Sequence, residues 1–340
     1  MKKIDYPIDF VVTWVDSTDP VWQAEYSKYR GGERSEDAAR FRSWDIFRYW
    51  FRAVECYAPW VNKVHVITCG HYPKWLDLNN PKLSLVKHTD YIPKEFLPTF
   101  NSDAIELNMG RIKELSEHFV YFNDDMYLNS AVSPSYYFRN GLPIDCNVEK
   151  TLRACDSSSE AHVSYCVSQF FNMCIINRNF NRRSVIKRSP LRWFGGHIPL
   201  STRLASLLSI TNGTFEGFED RHFEQPYLKS TFNDMWKKEE ETLRMSCTRF
   251  RKNNCLLKRL ARYWQLAGNN FFPHQYGPDR YLQIMPGNIE QICITLKDSS
   301  IKSVCLNDVP ECSEDFYKSA DQQLKDIFEK KFPKKSSFEL

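Results

Sequence analysis

At 340 residues and 40.2 kDa, the chain is long enough to bury one large core or two smaller ones. Hydrophobic residues at 42% and aromatics at 15% exclude a disordered chain, and 46 basic against 42 acidic residues (+4 formally) leave no excess that demands a nucleic-acid partner. An anionic substrate and an acidic membrane surface are both compatible with that balance.

Lys2 and Lys3 precede an apolar stretch as in a secretory signal, but Asp5, Pro7, Asp9 and Asp16 interrupt it and no small-residue cleavage site follows. No segment reaches about 18 consecutive apolar residues, so no membrane span is expected. The eleven cysteines are scattered, with no C-x-x-C pair. They read as reduced thiols of a cytoplasmic protein rather than a disulfide frame or zinc site. "IDFVVTWVD" predicts a buried strand over residues 8–15, ending at Asp16 and followed by the turn residues Ser17, Thr18, Asp19 and Pro20. Ser35 then suits a helix N-cap, and Phe41, Trp44, Phe47, Phe51 and Val54 recur at helical spacing to about Tyr57, before Pro59. "KVHVITCG" (63–70), "LSLVKH" (83–88) and "HFVYF" (118–122) predict further strands, with a helix from about Asn101 to Leu115. Such alternation indicates a mostly parallel α/β sheet covered on both faces, whose ligands sit beyond the carboxyl ends of the strands. Asp16 and the Asn123-Asp124-Asp125 trio both fall at such ends.

Residues 140–220 show short strand-like pieces, "VEKTLRA" and "FFNMCIIN", with the loops "CDSSSEAH" and "FGGHIP". Two helices follow, "YLKSTFNDMWKKEEETLRMS" and "NNCLLKRLARYWQLAG", the second capped by Asn253 or Asn254 and ended by Gly268. "QICITLK" and "IKSVCLND" read as strands, the latter ending at Asp308, and "EKKFPKKSSFEL" as a peripheral basic tail. The chain thus divides into an α/β half (1–140), a variable connection (141–219), a helical block with returning strands (220–310) and the tail (311–340).

Five stretches occur in order: "IDFVVTWVDSTDPVW"; "RYWFRAVECYAPWVNKVHVITCGHYPKWLDLNNPKLSLVKHTD"; "LPTFNSDAIELNMGRIKELSEHFVYFNDDMYL"; "HFEQPYLKSTFNDMW" through "TRFR"; and "SVCLND". Together they resemble the conserved regions of the Stealth family, which comprises bacterial capsular polysaccharide phosphotransferases and the animal enzyme that places N-acetylglucosamine-1-phosphate on lysosomal glycoproteins. About half the chain carries the resemblance. It implies a Rossmann-like, GT-A-like fold for nucleotide sugars with a helical insertion near 220–270. The implied reaction moves hexose-1-phosphate, in particular N-acetylhexosamine-1-phosphate, from a UDP-sugar donor to a glycan acceptor hydroxyl. UMP leaves, and the setting is the cytoplasm or the inner face of the membrane beside capsule machinery. The competing readings are a metal-dependent glycosyltransferase that releases UDP and a non-catalytic glycan-binding module.

Each candidate residue has a plainer alternative. Asp124 and Asp125 suit a solvated turn, or, being similar to the acid-x-acid motif of metal-dependent sugar transferases, a Mg²⁺ or Mn²⁺ site bridging the donor diphosphate. Asp16 reads as nucleotide or metal contact; for Asp19 an Asx turn stands equally. His222 suits a packing histidine, but the family's functional histidine falls here, and a neutral imidazole is apt as general base. His197, in "GGHIP", is the rival. The family's arginine aligns with Arg251 rather than Arg249, where a guanidinium can meet phosphate oxygens in pairs. Asp308 matches the last region. Arg48 and Arg52, one helical turn apart, read as diphosphate contacts or a solvated face, and Asn101 and Ser102 as a helix start with free N–H groups.

Overall fold

The computed structural model describes residues 4–31, 44–152, 160–196, 198–208, 210–252, 259–275, 277–309 and 313–340. The expected Ser35 and Asn253 or Asn254 caps and His197 lie outside them. Strand β1 (Ile8–Thr13) is almost wholly buried and, apart from Asp9 and Thr13, apolar, as a central parallel strand requires. Helix α1 (Pro20–Arg30) starts where Asp19 accepts from the Trp22 N–H and ends at Gly31, whose left-handed φ of 83° a side chain would resist. Helix α2 (Phe47–Tyr57) and strands β2 (Val64–Thr68) and β3 (Leu83–Lys87) follow, then the short helices α3 (His88–Tyr91) and α4 (Ser102–Leu107), and strands β4 (His118–Asn123) and β5 (Met126–Leu128). The helix expected to reach Leu115 stops at Leu107. Next come α5 (Pro134–Tyr137), β6 (Phe138–Arg139), β7 (Leu142–Asp145), α6 (Glu160–Asn179), α7 (Arg182–Arg188), α8 (Pro190–Phe194) and α9 (Leu200–Leu208). The chain closes with β8 (Gln225–Leu228), α10 (Lys229–Ser246), α11 (Arg259–Ala267), β9 (Phe272–Pro273), β10 (Asp279–Ile284), α12 (Ile289–Lys297), β11 (Ser303–Asp308) and α13 (Glu314–Lys331).

The main sheet runs in the order β3-β2-β1-β4-β8, with the first four strands parallel and β8 antiparallel to β4. This is the expected Rossmann-like α/β arrangement, so the ends at Thr13, Thr68, Lys87 and Asn123 share one rim. Side chains alternate along β1. Phe10 and Val12 pack under α2, α12 and α13, while Val11 faces the core under α4, α6, α10 and α11. Trp50 and Phe51 of α2 are completely enclosed, each worth about 1.5–3 kcal/mol of burial. A second sheet, β10-β11-β5, abuts the rim, and β6-β7-β9 forms a third. Pairing of β8 with β4 and of β11 with β5 carries both sheets across the boundary expected at residue 140.

Five local expectations change. "FFNMCIIN" lies inside α6, because Asn172, Met173 and Ile176 are buried while Phe170, Phe171 and Cys174 face out, a helical rather than alternating pattern. "QICITLK" lies in α12, where Ile292, Thr295 and Leu296 form the buried stripe. Among the described residues of "VEKTLRA" (148–152) there is a single bridge, Glu149 to Phe218, and Tyr227 and Leu228 belong to β8 rather than to the following helix. The tail is not peripheral: Phe332 and Phe338 are buried, and Glu339 receives Arg52 Nε at 2.8 Å and Nη2 at 2.9 Å.

Candidate active site

β1 and β4 are in register as Thr13 opposite Asn123, so residues 14–16 and 124–125 leave the sheet side by side. β8 enters against β4 with Gln225 opposite Tyr121, which places His222 at the same rim. β11 arrives from the other side: Cys305 faces Met126, and the Leu306 N–H donates to the Asp125 carbonyl at 2.8 Å. Three remote segments therefore meet at Asp125. Its Oδ2 lies 3.4 Å from His222 Nε2 and 3.4 Å from Cys305 Sγ. Among the described residues, these three are the group whose possible ligand atoms all lie within 4.8 Å of one another.

Asp125 Oδ1 is buried without a hydrogen-bond partner among the described residues. Such a buried polar atom costs free energy unless a cation or a donor meets it. The surrounding phenols register the negative charge. Burial first, then Asp124 and Asp125, push Tyr127 well above its ordinary value, and burial, Cys305 and Asp125 push Tyr281 up to about 12. Asp308 ends β11 two residues beyond Leu306 and accepts from the Val309 N–H at 2.8 Å. An orphaned carboxylate oxygen, with Asp124 and Asp308 on the same rim, is a donor set that fits a hard, oxygen-seeking divalent cation. The Cys305 thiol and His222 imidazole are softer neighbours.

The segment before β8 is clamped. Burial tends to raise Asp220, but Arg259 (3.4 Å) and Arg262 (3.3 Å) outweigh it and hold its carboxyl below the ordinary range. Arg262 also reaches Asp145 at 2.9 Å, and Arg221 pairs with Asp279. His222, between these anchors and packed edge-on to Tyr281, is thereby held at Asp125. Behind it, Glu224 and Asp279 line a cavity of about 20 Å³, room for one water. Burial and then the Asp279 charge push Glu224 up to about 7. Cys305, Glu224 and Asp279 were not singled out in the sequence. The available signal was the alternation along β11, which turns Ser303 to Glu224 and Cys305 to Asp125.

The other candidates divide. Asp16 is on the rim; its N–H donates to His71 Nε2 at 2.9 Å, and its Oδ1 is engaged by Thr18 N at 2.8 Å and Oγ1 at 2.6 Å. Asp19 caps α1. Arg251, Asn101 and Ser102 come together: Arg251 donates to Ser102 Oγ at 2.5 Å and pairs with Asp103 at 3.0 Å, while Asn101 caps α4 through the Asp103 N–H. Arg249 lies over the Tyr29 ring instead. Arg48 pairs weakly with Asp45 at 3.9 Å and covers Trp75. Arg52 is a correction. It is 5% exposed, gripped by Glu339, Glu329 and the Phe332 carbonyl, and its guanidinium is spent on the C-terminal segment rather than on a diphosphate.

The Stealth protein conserved region 1 matches residues 6–34 and conserved region 2 matches residues 40–144. The chain is 41% identical over 338 residues to capsular polysaccharide phosphotransferase WcwK of Streptococcus pneumoniae, covering 98% of each protein. It is 36% identical over 342 residues to exopolysaccharide phosphotransferase cps2G of Lactiplantibacillus plantarum (98% of this chain, 96% of the relative). To receptor polysaccharide phosphotransferase WefC of Streptococcus oralis it is 37% identical over 351 residues (98% and 99%). With conserved region 2 spanning the rim from α2 to Asp125 and relatives matching end to end, this chain belongs to the Stealth family.

Proposed function

We propose that this transferase moves hexose-1-phosphate, in particular N-acetylhexosamine-1-phosphate, from a UDP-sugar to a hydroxyl of a growing capsular or exopolysaccharide glycan. The observation that carries the reading is the orphaned Asp125 oxygen beside His222 at the carboxyl rim of the sheet, in a chain whose full-length relatives are named phosphotransferases.

Asp124 and Asp125, with Asp16 and Asp308 on the same rim, would hold Mg²⁺ or Mn²⁺, which when bound offsets diphosphate charge. The ring nitrogen of His222 not turned to Asp125 accepts the proton of the acceptor hydroxyl. The freed oxygen bonds to the β-phosphorus as the bond from that phosphorus to the bridging oxygen breaks, and UMP departs with the electron pair. Asp125 orients the imidazole and favours its protonated form as the bond forms. Arg251, held by Ser102 and Asp103, would supply fixed positive charge to phosphate oxygens.

Incubation with UDP-[β-³²P]GlcNAc and acceptor glycan tests this: label enters the polymer as UMP appears. Release of UDP with unlabelled polymer overturns it in favour of ordinary glycosyl transfer, and no turnover with glycan bound leaves only a binding module.

A further inference from the structure

Helix α9 is built inside out. Leu200, Leu204, Leu207 and Leu208 fall at i, i+4, i+7 and i+8, an arc of about 100° on a helix of 3.6 residues per turn. In a globular protein such a stripe faces the core. Here all four face solvent, from 50% exposed at Leu207 to 88% at Leu208, and Leu191 of α8 is 85% exposed. The side turned inward carries Ser206, whose hydroxyl donates to Glu149 at 3.0 Å. The same Glu149 takes Arg182 of α7 at 2.6 Å, and Arg182 donates to the Ser206 carbonyl at 3.4 Å, so a buried polar knot locks α9 against α7 in this orientation. Rolling the leucines inward would break that knot.

The exposed charge beside the stripe, on α7, is basic. Residues 161–215 contain seven Lys or Arg and no Asp or Glu, in a chain whose total is only +4. On α7, beside α9, Arg183, Lys187 and Arg188 are exposed. Outward leucines flanked by exposed basic side chains with no ion pair among the described residues form the pattern of a helix that lies in a membrane interface, its apolar side among acyl chains and its cations at anionic headgroups.

We propose that α7, α8 and α9 form a peripheral docking surface for an anionic lipid bilayer, with the leucine stripe of α9 inserted and the α7 cations on headgroup phosphates. No helix among the described residues is long and apolar enough to cross a membrane, so this attachment lies on the surface. The proposal is independent of the reaction assigned above.

The full-length protein is sedimented with vesicles of equal parts phosphatidylglycerol and phosphatidylcholine, and with pure phosphatidylcholine. Binding to the anionic vesicles, weakening as salt rises, is expected. Leu204→Glu with Leu208→Glu should lower it about tenfold or more, and Arg183→Ser, Lys187→Ser and Arg188→Ser roughly fivefold per cation removed. Because all five side chains face solvent, circular dichroism and thermal unfolding should be unchanged. Equal binding to neutral vesicles, no binding to either, or leucine variants that bind normally overturns the proposal. So does a concentration-dependent dimer that the leucine variants dissolve, which would give the stripe to a second copy of the chain.

Discussion

Substituting Asn for Asp125 separates the demands of folding from those of catalysis. Among the described residues Asp125 Oδ1 is buried without a partner, and Oδ2 makes 3.4 Å contacts to His222 and Cys305. An unsatisfied buried polar group costs about 1–3 kcal/mol. The side chain as a whole is 23% exposed, which places the cost near the lower end. Contacts as long as those of Oδ2 return little. Asp125→Asn removes a charge beside Asp124, so without ligands it should stabilise the protein by about 1 kcal/mol, a rise of roughly 1–2 °C in Tm for a chain of this size. The Mg²⁺–UDP-GlcNAc complex at a hundred times its Kd should add about 2.7 kcal/mol to the wild type and little to the variant. Turnover of labelled donor should fall at least about a hundredfold. Differential scanning calorimetry with and without ligands, alongside the transfer assay, reads all three. If the unliganded variant is the less stable protein, or both proteins gain equally from Mg²⁺ and donor, the assignment of Asp125 as a cation ligand fails.

His222→Gln removes the base and keeps the packing against Tyr281, so kcat should fall by about 10²–10⁴ with an unchanged unfolding curve, and near-normal turnover would give the base to another group. Arg52→Ala strands the buried Glu339 carboxylate and should cost about 3–5 kcal/mol in denaturant unfolding, while Arg52→Met with Glu339→Met recovers most of the loss and leaves the donor KM unaltered. A raised KM in that double variant would restore Arg52 to diphosphate binding. Glu224, pushed up from 4.5 to about 7 by burial and Asp279, is more easily protonated folded than unfolded. Its contribution to stability is therefore complete below about pH 4.5 and is lost as pH rises through about 7, at no more than about 1.4 kcal/mol per pH unit. Glu224→Gln should flatten urea midpoints across that window; an unchanged slope would show that Glu224 is already ionised.

Local sequence determined the parallel half of the sheet. β1, β2 and β4 are short, almost wholly buried runs rich in branched and aromatic residues, a pattern with few helical alternatives, and each stops at polar residues that must emerge on one rim. Asp124 and Asp125 were conspicuous for that reason. Short apolar runs in the second half were not decidable locally: "FFNMCIIN" and "QICITLK" satisfy either period, and helix or strand depended on which side chains the rest of the fold covered. The family resemblance named His222, but only the tertiary structure brought it and the unforeseen Cys305 to Asp125, across 97 and 180 residues of chain, through the antiparallel registers of β8 and β11. The tertiary structure also reassigned Arg52 from ligand to structural clamp and turned the leucines of α9 outward. Pairing register and the competition for buried partners are non-local quantities, and no window of sequence contains them.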